Sequence, residues 1–226
     1  MSLFIVATPI GNLKDVTLRA LEVLKSVDYI FAEDTRVTRK LLAHYGIKKS
    51  LLSFHEYSSQ KDLQKIINLL QQGKNLAYVV DAGTPGISDP GGYLVRQVSG
   101  ALPEEKIIPI PGASALIAAL SVAGLPRDQF LFLGFPPAKK GRKRFFQQVL
   151  ESKYPVVLYE SPHRLTRTIH ELSDIGLSMF ECILIKEISK VYEQVVRMSI
   201  GELQKVISTE KKLRGEFVLV INKNIR

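Results

Sequence analysis

The chain has 226 residues, of which 46% are hydrophobic and 23% charged, and its 31 Lys+Arg against 22 Asp+Glu give a formal net charge of +9. Those proportions are ordinary for a folded globular protein, and the positive excess points to an anionic partner such as nucleic acid. The longest apolar run, ALIAALSVAG at 115–124, is shorter than the ~20 residues a membrane helix needs, and the lone Cys182 cannot form an internal disulfide.

Taken in chain order, one theme recurs: a short apolar strand, a Gly/Pro/Ser turn, then an amphipathic helix. LFIVATP leads through IGNLKDVT to LRALEVLKSV, with Thr17 as N-cap. YIFAED leads through Thr35 to RVTRKLLAHYG, which Gly46 terminates. NLAYVV precedes DAGTPGISDPGG and the helix YLVRQVSG, and KIIPI precedes PGASALIAALSVAG. After the linker VAGLPRDQ (122–129), with Gly124 and Pro126, the theme restarts. QFLFLGF precedes a basic helix, and YPVVLYE precedes SPHRLTRTIHELSDIG, with Ser161 as cap and Pro162 as first helical residue. FECILIKE follows, then EQVVRMS with the helix GELQKVIS, and GEFVLVIN closes the series. Cys182, inside FECILIK, is expected to pack as a small core residue. The fold class is α/β, with two α/β domains of mostly parallel sheet at 1–123 and 124–226. The N-terminus MSLFIVATPIGNL has no basic leader and no small-residue cleavage pattern, so a cytoplasmic protein without a membrane partner is expected.

Ligands of parallel α/β sheets bind outside the carboxyl ends of the strands. Three loops of the first half fall there: TPIGN (8–12), DAGTPGISDPGG (81–92) and PGASA (111–115). Glycines at 83, 86 and 91 let a ligand approach main-chain atoms, while Pro85 and Pro90 stiffen the loop and Ser88 and Asp89 offer acceptors. Ser114 stands near a helix start, where N–H groups point outward. There is no G-x-G-x-x-G after the first strand, no G-x-x-x-x-G-K-[ST] and no G-x-S-x-G. His44, His55, His163 and His170 lack metal-ligand spacing, so no metal is expected. The run KKGRKR (139–144) concentrates positive charge, and Lys139, Lys140, Arg142, Lys143 and Arg144 are candidate phosphate contacts.

TPIGNLKD, AEDTR, DAGTPGISDPG, PGASA, YESPHR and RGEFVLVI occur in this order. Together they resemble the small-subunit ribosomal RNA methyltransferases of the tetrapyrrole-methylase-like superfamily, from about residue 3 to residue 222. The resemblance implies two α/β domains with S-adenosyl-L-methionine in a cleft between them, and a homodimer. It also implies methylation of a cytidine ribose 2′-hydroxyl in small-subunit (16S) ribosomal RNA, as free RNA or within the assembled 30S particle. Carried onto this chain, it places Ile10, Gly83, Thr84, Ile87, Ser88, Ser114 and Ala115 against the cofactor. Many superfamily members have Gly-Asp-Pro where this chain has Gly83-Thr84-Pro85, which leaves Asp81 or Asp89 to supply the carboxylate.

A ribose hydroxyl needs a positioned base, and Asp89, Glu160, Lys186 and Glu187 stand at strand ends that the resemblance turns toward the cleft. Lys186 and Glu187, adjacent at the end of one strand, are expected on opposite faces. His163 and Arg164, from YESPHR, and Arg36, with Arg39 further along its helix, are candidate RNA contacts. Two other readings stay open: a precorrin-type tetrapyrrole ring methyltransferase, and a non-catalytic RNA-binding module.

Overall fold

The computed structural model describes residues 1–125, 128–209 and 213–222. Pro126 of the expected linker lies outside them. The chain divides into two compact units, Met1–Ser114 and Ala115–Arg226.

The first unit contains β1 (Ser2–Val6), α1 (Leu18–Ser26), β2 (Tyr29–Ala32), α2 (Thr35–His44), β3 (Leu51–Ser53), α3 (Gln60–Gln71), β4 (Leu76–Val79), α4 (Gly91–Ala101) and β5 (Lys106–Ile110). Its sheet has the order β3-β2-β4-β1-β5, and every pairing is parallel, as the apolar strand runs predict. Alternate residues of β1 serve opposite faces. Leu3 and Ile5 pack with Leu63, Ile66 and Leu70 of α3 and Leu94 and Val98 of α4. Val6 packs on the other face with Ala20 and Leu24 of α1 and Leu42 of α2.

Local chemistry sets the helix ends. Thr17 accepts the Ala20 N–H at 3.1 Å as the sequence predicts. The cap of α2 is Asp34, whose side chain accepts the Arg36 N–H, and Thr35 is the first helical residue. Gly46, with φ +65°, follows the end of α2. β3 and α3 went unrecognised in the sequence pattern, although α3 opens with a capping box. In it Ser59 accepts from the Asp62 N–H while Asp62 accepts from the Ser59 N–H.

The second unit contains α5 (Ala115–Ala123), β6 (Leu131–Gly134), α6 (Arg142–Glu151), β7 (Val156–Glu160), α7 (Pro162–Leu172), β8 (Glu181–Lys186), β9 (Gln194–Ser199), α8 (Ile200–Thr209) and β10 (Phe217–Asn222). The compact units divide before α5, earlier than the expected boundary at 123/124. The apolar face of this helix, Leu116, Ala119 and Ala123, packs with Val157, Ile183, Val218 and Val220 of the second sheet. Helices α6, α7 and α8 cover the opposite face, with Phe145, Leu165, Ile169 and Leu203 against Leu158, Leu184 and Leu219.

This sheet is mixed, unlike the first. Its order is β6-β7-β10-β8-β9, and only β6 and β7 pair in parallel among the described strands. The cause is one connection. Residues 187–193 join β8 to β9 without a helix, so β9 turns back on β8, and the helical crossover of α8 then keeps β10 in the reversed direction. Cys182 is fully buried on β8 as expected, and burial pushes its thiol up to about 12.

Candidate active site

Because β4, β1 and β5 are neighbours and parallel, the loops that leave their carboxyl ends meet on one rim. Backbone bonds join the first two loops: the Thr8 N–H donates to Gly83 O at 2.9 Å and the Gly83 N–H to Thr8 O at 3.0 Å. The Thr8 hydroxyl donates to Val80 O at 3.0 Å. Thr84 donates its hydroxyl to Ala113 O at 3.0 Å and so ties in the third loop.

The glycines serve this knitting more than the sequence implies. A Cβ on Gly91 would lie 2.7 Å from the Gly86 nitrogen and 2.8 Å from an Asp89 oxygen, and one on Gly112 would lie 2.8 Å from the Ala7 Cβ. At Gly83 it would meet the Ile10 Cγ2 at 3.3 Å, and Ile10 itself is buried. Gly86 differs. Its φ of +96° favours glycine, and the nearest atom to an added Cβ is 3.7 Å away. Around it, Ile87 and Ser88 are exposed, with Ser88 also at positive φ, +65°. Ser114 and Ala115 are half-buried where α5 begins, and Ala115 falls in the second compact unit.

Asp89 holds the central loop in shape. Its carboxylate accepts the N–H groups of Gly86, Ile87 and Gly91 at 2.7–3.0 Å. Beside it, at the ends of β2 and β4, Glu33 and Asp81 both have carboxyls raised above the usual range by burial. Asp81 is exposed at the rim and accepts the Asp34 N–H at 3.0 Å. Arg36 forks onto Asp34 at 2.6–3.1 Å, and this bond holds the Asp34 carboxyl down at about 2. The rim therefore offers exposed residues at 81–82, 86–88 and 111–112, with an apolar tip at Ile87, and carboxylates. That combination fits a cofactor with a planar base, polar groups and a cationic centre, so S-adenosyl-L-methionine suits the residues present.

The other three candidate bases belong to the second unit. Glu160, buried at the end of β7, accepts the Thr168 hydroxyl at 2.6 Å and the Ser161 N–H at 2.8 Å, and it pairs with Arg164 at 3.0 Å. Ser161, expected as a conventional cap, instead accepts from Arg164 Nε at 3.2 Å and makes no cap bond through its side chain. Lys186 lies opposite the same β10 residue, Phe217, that pairs with Glu160. Glu187 falls outside the strand, at φ +53°, so strict alternation with Lys186 does not hold. Its carboxylate accepts from Lys190 Nζ at 2.8 Å and the Glu216 N–H at 2.9 Å, and the Lys190 bond lowers its pKa.

The basic run divides. Lys139, Lys140, Lys143 and Arg144 are exposed. Arg142 is buried, 4% exposed, and all three guanidinium nitrogens are engaged inside the fold. Nε donates to Glu171 at 2.6 Å, NH2 to the Thr168 hydroxyl at 2.7 Å and NH1 to Pro137 O at 2.9 Å, while the group lies 5.0 Å from the Phe146 ring centre. It is a core residue and is not available to RNA phosphates. Arg164 is half-buried, with NH1 on Pro136 O at 3.0 Å, whereas His163 is exposed beside it. Among the described residues there is no His/Cys/Asp/Glu group that could hold a metal ion. A cavity of about 480 Å³ lined by Arg39, Leu42, Ile47, Lys48, Lys49 and Leu51 lies at the end of α2 and the start of β3, the edge of the sheet opposite the loops.

The family model for tetrapyrrole (corrin/porphyrin) methylases matches residues 2–204. The ribosomal RNA small subunit methyltransferase I of Neisseria meningitidis serogroup B is 43% identical over 222 residues, covering 97% of this chain and 75% of that protein. The protein of the same name from Pseudomonas aeruginosa is 43% identical, covering 97% and 78%. A solved structure of diphthine synthase superposes with a TM-score of 0.76 at 13% identity, covering 100% of this chain and 92% of the other, which speaks for the fold alone. The methyl donor is S-adenosyl-L-methionine. Family match, identity over nearly the full length and shared fold agree: the chain belongs to the tetrapyrrole methylase family, in its ribosomal RNA small subunit methyltransferase I branch.

Proposed function

We propose that the protein methylates small-subunit ribosomal RNA, and that the acceptor is the ribose 2′-hydroxyl of a cytidine. The observation that carries this reading is the rim of three knitted loops on adjacent strand ends, in a chain 43% identical to proteins named for ribosomal RNA methylation. When bound, S-adenosyl-L-methionine supplies an electrophilic methyl group for in-line displacement. The chain's own residues then have alignment and proton removal to provide.

Of the four candidate bases, three carboxylates have partners inside the fold. Asp89 is saturated by three N–H donors, Glu160 is buried on Thr168 and Arg164, and Glu187 is held by Lys190 with a lowered pKa. Their oxygens already accept from donors of the protein itself, which leaves less acceptor capacity for a substrate hydroxyl. Lys186 is assigned to the acceptor hydroxyl, as the strand-end group left for it, and takes the hydroxyl proton as the neutral amine. Asp81, exposed on the rim, takes the cofactor-facing role open between it and Asp89. Exposed Lys139, Lys140, Lys143, Arg144 and His163 meet phosphates.

The test is transfer of a tritiated methyl group to free 16S RNA, to assembled 30S particles and to a precorrin, followed by nucleoside digestion. The expected product is 2′-O-methylcytidine. Label on a base, or on the precorrin alone, refutes the reading. Lys186→Met is expected to lower kcat with little change in donor affinity, and an unaffected kcat removes Lys186 from the assignment.

A further inference from the structure

We infer that Phe135 is a stacking platform for one unpaired base of the RNA substrate; this rests on the RNA reading above and adds a residue to it. Phe135 is the first residue after β6 and is 48% exposed. Its ring packs edgewise on Tyr159 with centroids 5.5 Å apart, and Tyr159 packs in turn on Phe132 at 4.9 Å. The Arg164 guanidinium lies over the ring, 6.0 Å from its centre.

The loop that carries Phe135 is fixed from beneath. Three successive carbonyls, Pro136, Pro137 and Ala138, accept from Arg164 at 3.0 Å, Arg142 at 2.9 Å and Arg167 at 3.3 Å. Glu171 accepts from both Arg142 and Arg167, and Glu160 pairs with Arg164. These arginines are spent on the loop, so their geometry sets its shape and does not read RNA directly. What the loop presents outward is Phe135 followed by Lys139 and Lys140, with Lys143 and Arg144 in the first turn of α6.

An exposed aromatic ring alone is unremarkable on a protein surface. Here it is held rigid, backed by a cation, and continuous with exposed basic side chains. This is the composition of single-strand recognition: charge tracks the phosphates and a ring takes a base face. Bases inside a duplex are stacked on one another and cannot reach such a ring, so the platform selects an unpaired nucleotide. Because the loop is already ordered, little conformational entropy is lost when a base settles on it.

The experiment uses the full chain and fluorescence anisotropy with a labelled single-stranded 12-nucleotide RNA and the same sequence as a duplex, each at several salt concentrations. Phe135→Ala is expected to weaken single-strand binding about 5- to 150-fold, with the salt dependence unchanged and duplex binding within about twofold. Phe135→Tyr retains affinity. Phe135→Leu keeps an apolar contact with Tyr159 and lacks the π face, so it behaves as Phe135→Ala without disturbing the fold. Lys139→Ser with Lys140→Ser lowers the salt slope by about 1.4. Single-strand affinity within twofold of wild type in both Phe135→Ala and Phe135→Leu, while the lysine variant still weakens binding, overturns the platform and leaves the RNA reading standing. Equal loss on single strand and duplex also overturns it. Absence of RNA binding by the wild-type chain sinks the RNA reading itself.

Discussion

Replacing Arg142 by Ala tests the division of the basic run. The guanidinium is ionised, so its bonds to Glu171, to the Thr168 hydroxyl and to Pro137 O are all charge-assisted, inside a site with 4% exposure. A bond of this kind contributes about 1.5–3 kcal/mol. Two partners keep other bonds: Glu171 retains Arg167 and partial solvent access, and the Thr168 hydroxyl still donates to Glu160. The loss is then about 3–5 kcal/mol, the range for breaking a buried pair, against a total stability of roughly 5–15 kcal/mol. Lys143→Ala, one residue along, is exposed and should stay within about 0.5 kcal/mol. Urea denaturation read by hydrogen exchange on the amides of α6 and α7 separates the two. Arg142→Lys should recover only part of the loss, since an ammonium cannot reproduce the three-way fork. An Arg142→Ala chain of unchanged urea midpoint that loses salt-dependent RNA affinity would refute the assignment of Arg142 to the core.

Three further outcomes follow from the loops and helix ends. Gly91→Ala places a Cβ 2.7 Å from the Gly86 nitrogen, so the loop must open; donor affinity measured by titration calorimetry should fall at least tenfold, and an unchanged affinity would detach the loop from the donor. Ser59→Ala removes the side-chain half of the α3 capping box and should cost about 1 kcal/mol in urea unfolding. Glu33→Gln concerns pH. Burial raises the Glu33 pKa above 4.5, so its contribution to stability is full below 4.5 and is lost as pH rises through the folded value. The variant should therefore melt higher than wild type at neutral pH, and the two should converge below 4.5; a constant difference across pH would contradict the burial argument.

Strand–turn–helix alternation made the first unit legible. Apolar runs such as NLAYVV are what a parallel sheet covered on both faces requires, and the sheet is parallel throughout. The missed pair β3 and α3 had a local signal in Ser59 and Asp62, but β3 has only three residues, none of them fully buried, so it carries too little apolar pattern to announce a strand. The mixed second sheet was also written in the chain. Between FECILIKE and EQVVRMS there is no room for a crossover helix, and parallel neighbours need a connection of about a dozen residues. That single short link fixes the direction of two strands. Strand insertion is different: β10 settles between β7 and β8 through long-range pairing that no local pattern encodes.

The site shows the same limit at finer scale. Glycine in a sequence marks a close approach or a special backbone angle without saying which, and it does not say what occupies the space. At Gly91 and Gly112 the occupant is the protein's own loop, at Gly83 it is Ile10, and at Gly86 and Gly92 an added Cβ would meet nothing closer than 3.7 Å. Charge runs carry a similar ambiguity, yet here helical periodicity resolves it. Phe145, Phe146 and Val149 are the buried face of α6, and Arg142 stands three, four and seven residues before them. A side chain on that stripe points inward whatever its charge, while Lys143, Arg144, Gln147 and Gln148 face solvent. Composition groups Arg142 with its basic neighbours, and the 3.6-residue period separates it from them. The same residue that would weaken a phosphate-binding argument therefore strengthens a structural one, because the Arg142 guanidinium helps fix the loop from which Phe135, Lys139 and Lys140 project.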